Sequence, residues 1–174
     1  RSRVGIAHNP SSNMKLASGV ARVLDMLKLD LAVGLGTDGP AGSNNDLNLF
    51  EEMDLAAKLQ KVTTMDPRSL SAEQVFEMAT IRGARALGMA QKTGSLEVGK
   101  RADVIVVSLD EPHATPIFNV YSQLVYALKA SDVRDVMIDG RWVMRDRQML
   151  TLQTEEIRRE VERLRSQIAA SVRP

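Results

Sequence analysis

Two apolar runs, each stopped by a polar cluster, constrain this chain more than any other feature. Val4 to Ala7 gives way to His8-Asn9-Pro10, and Leu31 to Leu35 gives way to Gly36-Thr37-Asp38-Gly39-Pro40. Short apolar runs bounded by glycine or proline read as buried strands. Between them Val20, Val23, Leu24 and Leu27 recur at i, i+3, i+4 and i+7, the stripe of an amphipathic helix. A strand, helix, strand passage closes right-handed into adjacent parallel strands. The pattern therefore predicts parallel strands over 3–8 and 31–36, joined by a helix containing Val20 to Leu27.

The rhythm continues. Leu49, Phe50, Met53, Ala56, Ala57 and Gln60 mark a second helix, with Asp46, Glu51 and Glu52 near its start. Ser71 and Gln74 form a capping box, and Leu70 with Val75 can form the hydrophobic staple. Val75, Ala79 and Ala86 then share one face of a third helix, ended by Gly88. The character changes near Gly94. A turn-rich stretch leads into a strand over 102–109, and strands over 134–138 and 141–145 flank Asp139-Gly140, the strongest two-residue hairpin signal. Phe118 to Lys129 reads as a short helix between them. The tail is a surface helix carrying Ile157, Val161, Leu164 and Ile168, with Thr154 as its cap and Glu155 spaced to pair with Arg159. The expected units are 1–93, 94–150 and 151–174.

Composition narrows the partners. Lysine plus arginine is 23 against 22 acidic residues, a net charge of +1, which gives no electrostatic footprint for nucleic acid or an anionic membrane. Six aromatics (three Phe, two Tyr, one Trp) are too few for a base-stacking platform. No run approaches the roughly 20 apolar residues of a membrane helix. With no cysteine, disulfides, thiolate metal sites and cysteine nucleophiles are excluded, and a reducing, cytoplasmic setting is expected. The chain begins without methionine and directly in a strand, so the expectation is a segment of a larger protein.

In parallel α/β folds chemistry collects at the C-terminal ends of strands. That rule puts His8 and Asp38 on one rim. Asp38 is a hard anionic oxygen ligand suited to a divalent metal, and it could also move a proton. On spacing alone an aspartate before glycine is more often a turn former. A lone histidine is usually structural, and Asn9, Ser12 and Asn13 could simply cap the following helix. Gly34-x-Gly36-x-x-Gly39 has the form of a dinucleotide fingerprint, but Pro40 and a polar loop delay the helix that would bind phosphate. His113, between prolines 112 and 116, reads as a surface residue, and Lys15, Arg82 and Arg85 as helix-face charges.

Taken together, His8-Asn9-Pro10-Ser11-Ser12-Asn13, Gly34-Leu35-Gly36-Thr37-Asp38-Gly39, Ser43-Asn44-Asn45-Asp46-Leu47, Ala79-Thr80-Ile81-Arg82-Gly83-Ala84-Arg85-Ala86-Leu87-Gly88 and Gly94-Ser95-Leu96-Glu97-Val98-Gly99-Lys100-Arg101-Ala102-Asp103 resemble, in order, the end of an amidohydrolase-superfamily barrel and its return into a small β-sandwich. Within that superfamily the likeness is to the 5-methylthioadenosine/S-adenosylhomocysteine deaminases, through Phe50-Glu51-Glu52-Met53 and Tyr121-Ser122-Gln123-Leu124-Val125-Tyr126. The resemblance implies an α/β chain: the last two strands and helices of a (β/α)8 barrel, then part of a β-sandwich and a C-terminal helix. It implies one divalent metal, usually zinc, held in part by Asp38, which would also be catalytic, with the other ligands upstream of Arg1. His8, Ser12 and Asn13 would line the pocket of a purine nucleoside that is hydrolytically deaminated. The alternatives are a chlorohydrolase or guanine-type aminohydrolase of the same superfamily, and a non-catalytic barrel relative. The loop Pro40-Ala41-Gly42 is a residue longer than the common family form. Homo-oligomerisation is left open.

Overall fold

The computed structural model describes residues 4–172. Strand β1 (Gly5–His8) is followed by two short helices, α1 (Pro10–Lys15) and α2 (Val23–Lys28), and then by strand β2 (Ala32–Leu35). The two strands are parallel neighbours, pairing Gly5 with Ala32 through His8 with Leu35, as the alternation predicts; position 3 of the expected strand lies outside the described residues. The connecting helix is shorter than expected. It starts at Val23, leaving Val20 40% exposed, because Ala17 and Gly19 take left-handed φ values of 53° and 89° and hold the preceding chain in turns.

Helix α3 (Leu49–Thr64) buries Phe50, Glu52, Met53, Ala56, Ala57 and Gln60. Its start is fixed by Asn48, whose side chain accepts from the N–H groups of Phe50 and Glu51. Helix α4 (Ala72–Ala79) opens on the Ser71–Gln74 capping box, with both reciprocal bonds present. The single third helix expected from periodicity is two helices. The backbone leaves helical geometry at Thr80 (φ −125°, ψ −103°), where the hydroxyl bonds back to the Phe76 carbonyl at 2.7 Å, and α5 (Ile81–Ala86) sets off afresh.

That break lays α5 directly on the parallel strands. A Cβ on Gly34 would lie 2.7 Å from the Gly83 Cα, and one on Gly5 would lie 1.9 Å from the Ala86 carbonyl oxygen. Helix and sheet meet backbone to backbone, and no side chain larger than hydrogen fits between them. Val23, Val33, Met53, Ala56, Ala57, Leu70, Val75 and Met78 fill the core around this contact.

Beyond Gly94 four strands, β3 (Val104–Val107), β4 (Val133–Ile138), β5 (Arg141–Arg145) and β6 (Gln148–Met149), form an antiparallel sheet in sequential order. The Asp139-Gly140 turn joins β4 to β5 with φ values of 50° and 76°, both positive as a type I′ turn requires. A second tight turn, Asp146-Arg147, has φ values of 47° and 62° and no glycine to announce it. Asp135 holds it, accepting from the Asp146 N–H at 2.8 Å and from Arg134 Nε at 2.8 Å. The expected helix over 118–129 is one short turn, α6 (Val120–Ser122), running into a wide turn over Gln123–Ala127 that Leu128 N–H closes on the Gln123 carbonyl. Ala114, Val125 and Leu128 from this region join the core built by α3 and α4, so the core does not stop at Gly94. His113 is exposed, as expected, and its Nε2 lies 2.9 Å from the buried Asp132 carboxylate.

Helix α7 (Thr154–Ser171) buries none of its residues; positions 173 and 174 lie outside the described residues. Thr154 is not its cap. Gln153 occupies that position without a side-chain bond, and Glu155 pairs with Arg158 rather than Arg159. Among the described residues no helix is long and apolar enough to cross a membrane.

Two consequences are measurable. Gly34→Ala should destabilise the fold by about 2 kcal/mol or more, as overpacking against rigid backbone does; a denaturation midpoint within error of wild type would contradict the contact. Burial of Asp132 opposes its ionisation, but the bonds from His113 and from the Lys129 N–H outweigh burial and hold the carboxyl below its ordinary value of 3.8. A depressed folded-state pKa gives stability that is present above the unfolded value and lost as pH falls through the folded one. Wild type should therefore lose stability steeply below pH 3.8, and Asp132→Asn should flatten that acid limb in thermal melts run against pH.

Candidate functional site

The parallel strands end side by side, and the loops leaving them carry the chain's densest set of polar groups. His8 closes β1. Pro10, at the first helical position where its missing N–H costs nothing, starts α1 and directs Ser12 toward the β2 loop. There the Ser12 hydroxyl donates to Asp38 Oδ2 at 2.7 Å. Gly39 N–H donates to Asp38 Oδ1 at 2.7 Å. Ser12 foremost, then the Gly39 N–H and the Ser43 hydroxyl, hold the exposed Asp38 carboxyl below its ordinary range, so it is an anion at neutral pH. Asp38 itself sits at φ 60°, a left-handed conformation that Asp and Asn tolerate better than other side chains.

Beneath this pair lies a group that the sequence shows among the acids near a helix start and in the Phe50-Glu51-Glu52-Met53 likeness, with no role attached. Glu52, 1% exposed, projects from the first turns of α3 into the gap between the two loops. Its Oε2 accepts from the Ser11 N–H at 3.0 Å, and its Oε1 accepts from Asn44 Nδ2 at 3.1 Å. The same Asn44 amide donates to the Thr37 carbonyl at 2.8 Å, and Asn44 Oδ1 accepts from the N–H groups of Asn45 and Asp46. One buried carboxyl thus holds the residue before Ser12 and, through Asn44, the residue before Asp38. A signal was in the sequence: of the acids at the α3 start, Glu52 is the one four and eight residues before Ala56 and Gln60, which face inward.

The other expected residues are placed as follows. His8 is 3% exposed, and neither ring nitrogen has a hydrogen-bond partner among the described residues. Burial pushes its pKa down to about 4, so the ring is neutral at physiological pH. Asn13 is half-buried on α1, with no side-chain bond to Ser12 or Asp38. Asn9 does not cap α1 through its side chain; its buried Oδ1 is unpartnered among the described residues and faces Gly36, where a Cβ would stand 2.4 Å away. Lys15, at the end of α1, donates to Asn45 Oδ1 and adds a second tie between the loops. The glycine pattern at 34, 36 and 39 makes no phosphate cradle, since the next helix starts only at Leu49. Among the described residues no group of three or more His, Cys, Asp or Glu side chains is arranged to hold a metal ion.

Comparison with known proteins matches this arrangement to a family. The amidohydrolase family model matches residues 1–143. Over 166 residues the chain is 52% identical to 5-methylthioadenosine/S-adenosylhomocysteine deaminase 1 of Syntrophus aciditrophicus (strain SB), covering 95% of this chain and 37% of that protein. It is 50% identical over 167 residues to 5'-deoxyadenosine deaminase of Methanosarcina acetivorans, covering 96% of this chain and 38% of that one. The crystal structure of a zinc-bound adenosine deaminase from Xanthomonas campestris aligns with a TM-score of 0.90 at 37% identity, over 94% of this chain and 37% of that chain. The chain spans less than two-fifths of the length of these relatives. With the family model running through both the parallel strands and most of the antiparallel sheet, the chain belongs to the amidohydrolase family.

Proposed function

We propose that the whole protein is a metal-dependent hydrolytic deaminase of adenine-type nucleosides, of the 5-methylthioadenosine or S-adenosylhomocysteine kind. In this reading residues 1–93 contribute the last two strands and helices of a (β/α)8 barrel, 94–150 part of a β-sandwich, and 151–174 a C-terminal helix. The observation that carries it is Asp38: an ionised carboxylate at a strand's C-terminal end, oriented by Ser12 and Gly39. The names of the relatives at 50% and 52% identity support the substrate class.

The family implies a divalent metal, with zinc bound in the related adenosine deaminase. The donor chemistry here fits one position of its coordination shell. Asp38 is anionic, exposed and fixed, and each of its oxygens keeps a lone pair beyond the one accepting from Ser12 or Gly39. With no three-residue donor cluster among the described residues, the remaining ligands would come from elsewhere in the whole protein. A divalent ion bound there lowers the pKa of water toward neutrality. Asp38 would hold that ion and take the proton of the attacking water. Water adds at the purine carbon bearing the amino group, the carbon–nitrogen bond breaks, ammonia leaves with the proton, and the inosine analogue remains. His8, neutral and with both nitrogens uncommitted among the described residues, Ser12 and Asn13 would line the nucleoside pocket.

A substrate panel on the full-length protein tests the reading: methylthioadenosine, S-adenosylhomocysteine, adenosine, guanine and a chlorotriazine. Ammonia release from an adenine nucleoside is expected, and chloride release or guanine deamination in its place would move the protein to the alternative aminohydrolase or chlorohydrolase activities. Asp38→Asn preserves a residue tolerant of φ 60° while removing charge and basicity, so it should fold normally and lose about 1000-fold or more in rate. Near-normal turnover at matched metal content would make Asp38 a turn residue only. Glu52→Gln turns one accepting oxygen into a donor facing a donor, which should cost about 2 kcal/mol in stability. By loosening Ser12 and Asp38 together it should also lower kcat roughly tenfold or more at temperatures where the variant is fully folded.

A further inference from the structure

Of the groups around the Asp38 carboxylate, one comes from outside its own loop. The Gly39 N–H belongs to the adjacent residue, and Ser43, whose hydroxyl lies 3.0 Å from the Gly39 carbonyl, sits on the same loop. These groups shape the loop but travel with it. The Ser12 hydroxyl comes from α1, 26 positions away in the chain, and donates to Asp38 Oδ2 at 2.7 Å. A carboxylate is a rigid plane. The Gly39 bond pins Oδ1 and still lets Oδ2 swing about it; the Ser12 bond pins the second oxygen, and the plane is then fixed against the framework.

Ser12 is itself held in place. It is 4% exposed. On one side the N–H of Ser11 is bound by the buried Glu52, and on the other the Ser12 carbonyl accepts from the Leu16 N–H at 2.9 Å. A serine hydroxyl carries a single proton, and here Asp38 receives it. Buried, with that proton committed, the hydroxyl has no donor left for a nucleoside.

We propose that Ser12 is a positioning residue that acts through Asp38 and makes no polar contact with substrate. Its place in the pocket wall is that of a support, keeping the carboxylate in one orientation for the divalent ion and for the water proton. The inference rests on the reading of Asp38 as metal ligand and base, and concerns only atoms whose partners both lie in this chain.

Ser12→Ala isolates the hydroxyl. It should fold, because alanine suits a helix and the carboxylate left without its donor is exposed to water. In the full-length protein, zinc affinity measured by chelator competition should fall roughly tenfold or more, the usual loss when a group orienting a metal ligand is removed. At saturating zinc, kcat for methylthioadenosine should fall by about the same factor, with KM unchanged to within about twofold. Ser12→Thr keeps the hydroxyl and should recover most of both. In an Asp38→Ala background, Ser12→Ala should weaken zinc binding no further, since its only route is gone. A raised KM with normal kcat would overturn the proposal by making Ser12 a substrate contact. Unchanged zinc affinity and kcat would overturn it too, as would a full further loss of zinc affinity in the Asp38→Ala background. Wild-type zinc binding by Asp38→Ala alone is a separate result, and would remove the reading of Asp38 on which the inference rests.

Discussion

The site depends on one buried carboxyl. Glu52 is taken out of water at a cost that only hydrogen bonds can offset, and both its oxygens find donors in the two loops that carry Ser12 and Asp38. Those donors are a backbone N–H and an amide, not a cation. Such a group is far less tolerant of rearrangement than a surface ion pair, because moving either loop strands a polar atom in the interior. The rim geometry is therefore set from below by α3, and the exposed Asp38 inherits its position.

The placement of α3 and the strands follows from packing around glycine. Gly5 and Gly34 let α5 close on the sheet, the break at Thr80 gives α5 the direction it needs, and α3 and α4 fill the remaining apolar volume with Met53, Ala56, Val75 and Met78. Fold and site are linked through the same helices: the side of α3 that buries Ala56 and Gln60 also carries Glu52 inward.

What could be read from the residues was whatever is encoded locally. Alternating apolar runs gave the parallel pair, Ser71 and Gln74 gave the cap, and Asp139-Gly140 gave the hairpin, since each signal lies within a few residues of its structural effect. What escaped depended on distant partners. The Asp146-Arg147 turn is held by Asp135, 11 positions away, and the bond from Ser11 to Glu52 spans 41 positions. The split at Thr80 involves neither proline nor glycine and leaves the apolar period intact, so periodicity alone cannot show it. Asp38 was legible as a candidate from its place at a strand end; the hydroxyl that orients it was not.

The direct seating of Gly83 on Gly34 also has a mechanical meaning. Between most helices and sheets, side chains form a compliant layer whose rotamers absorb small displacements. Here that layer is missing, so α5 and β2 move as one body. The Asp38 end of β2 is then held by the stiffness of peptide geometry instead of by side-chain packing, which suits the role proposed for that carboxylate.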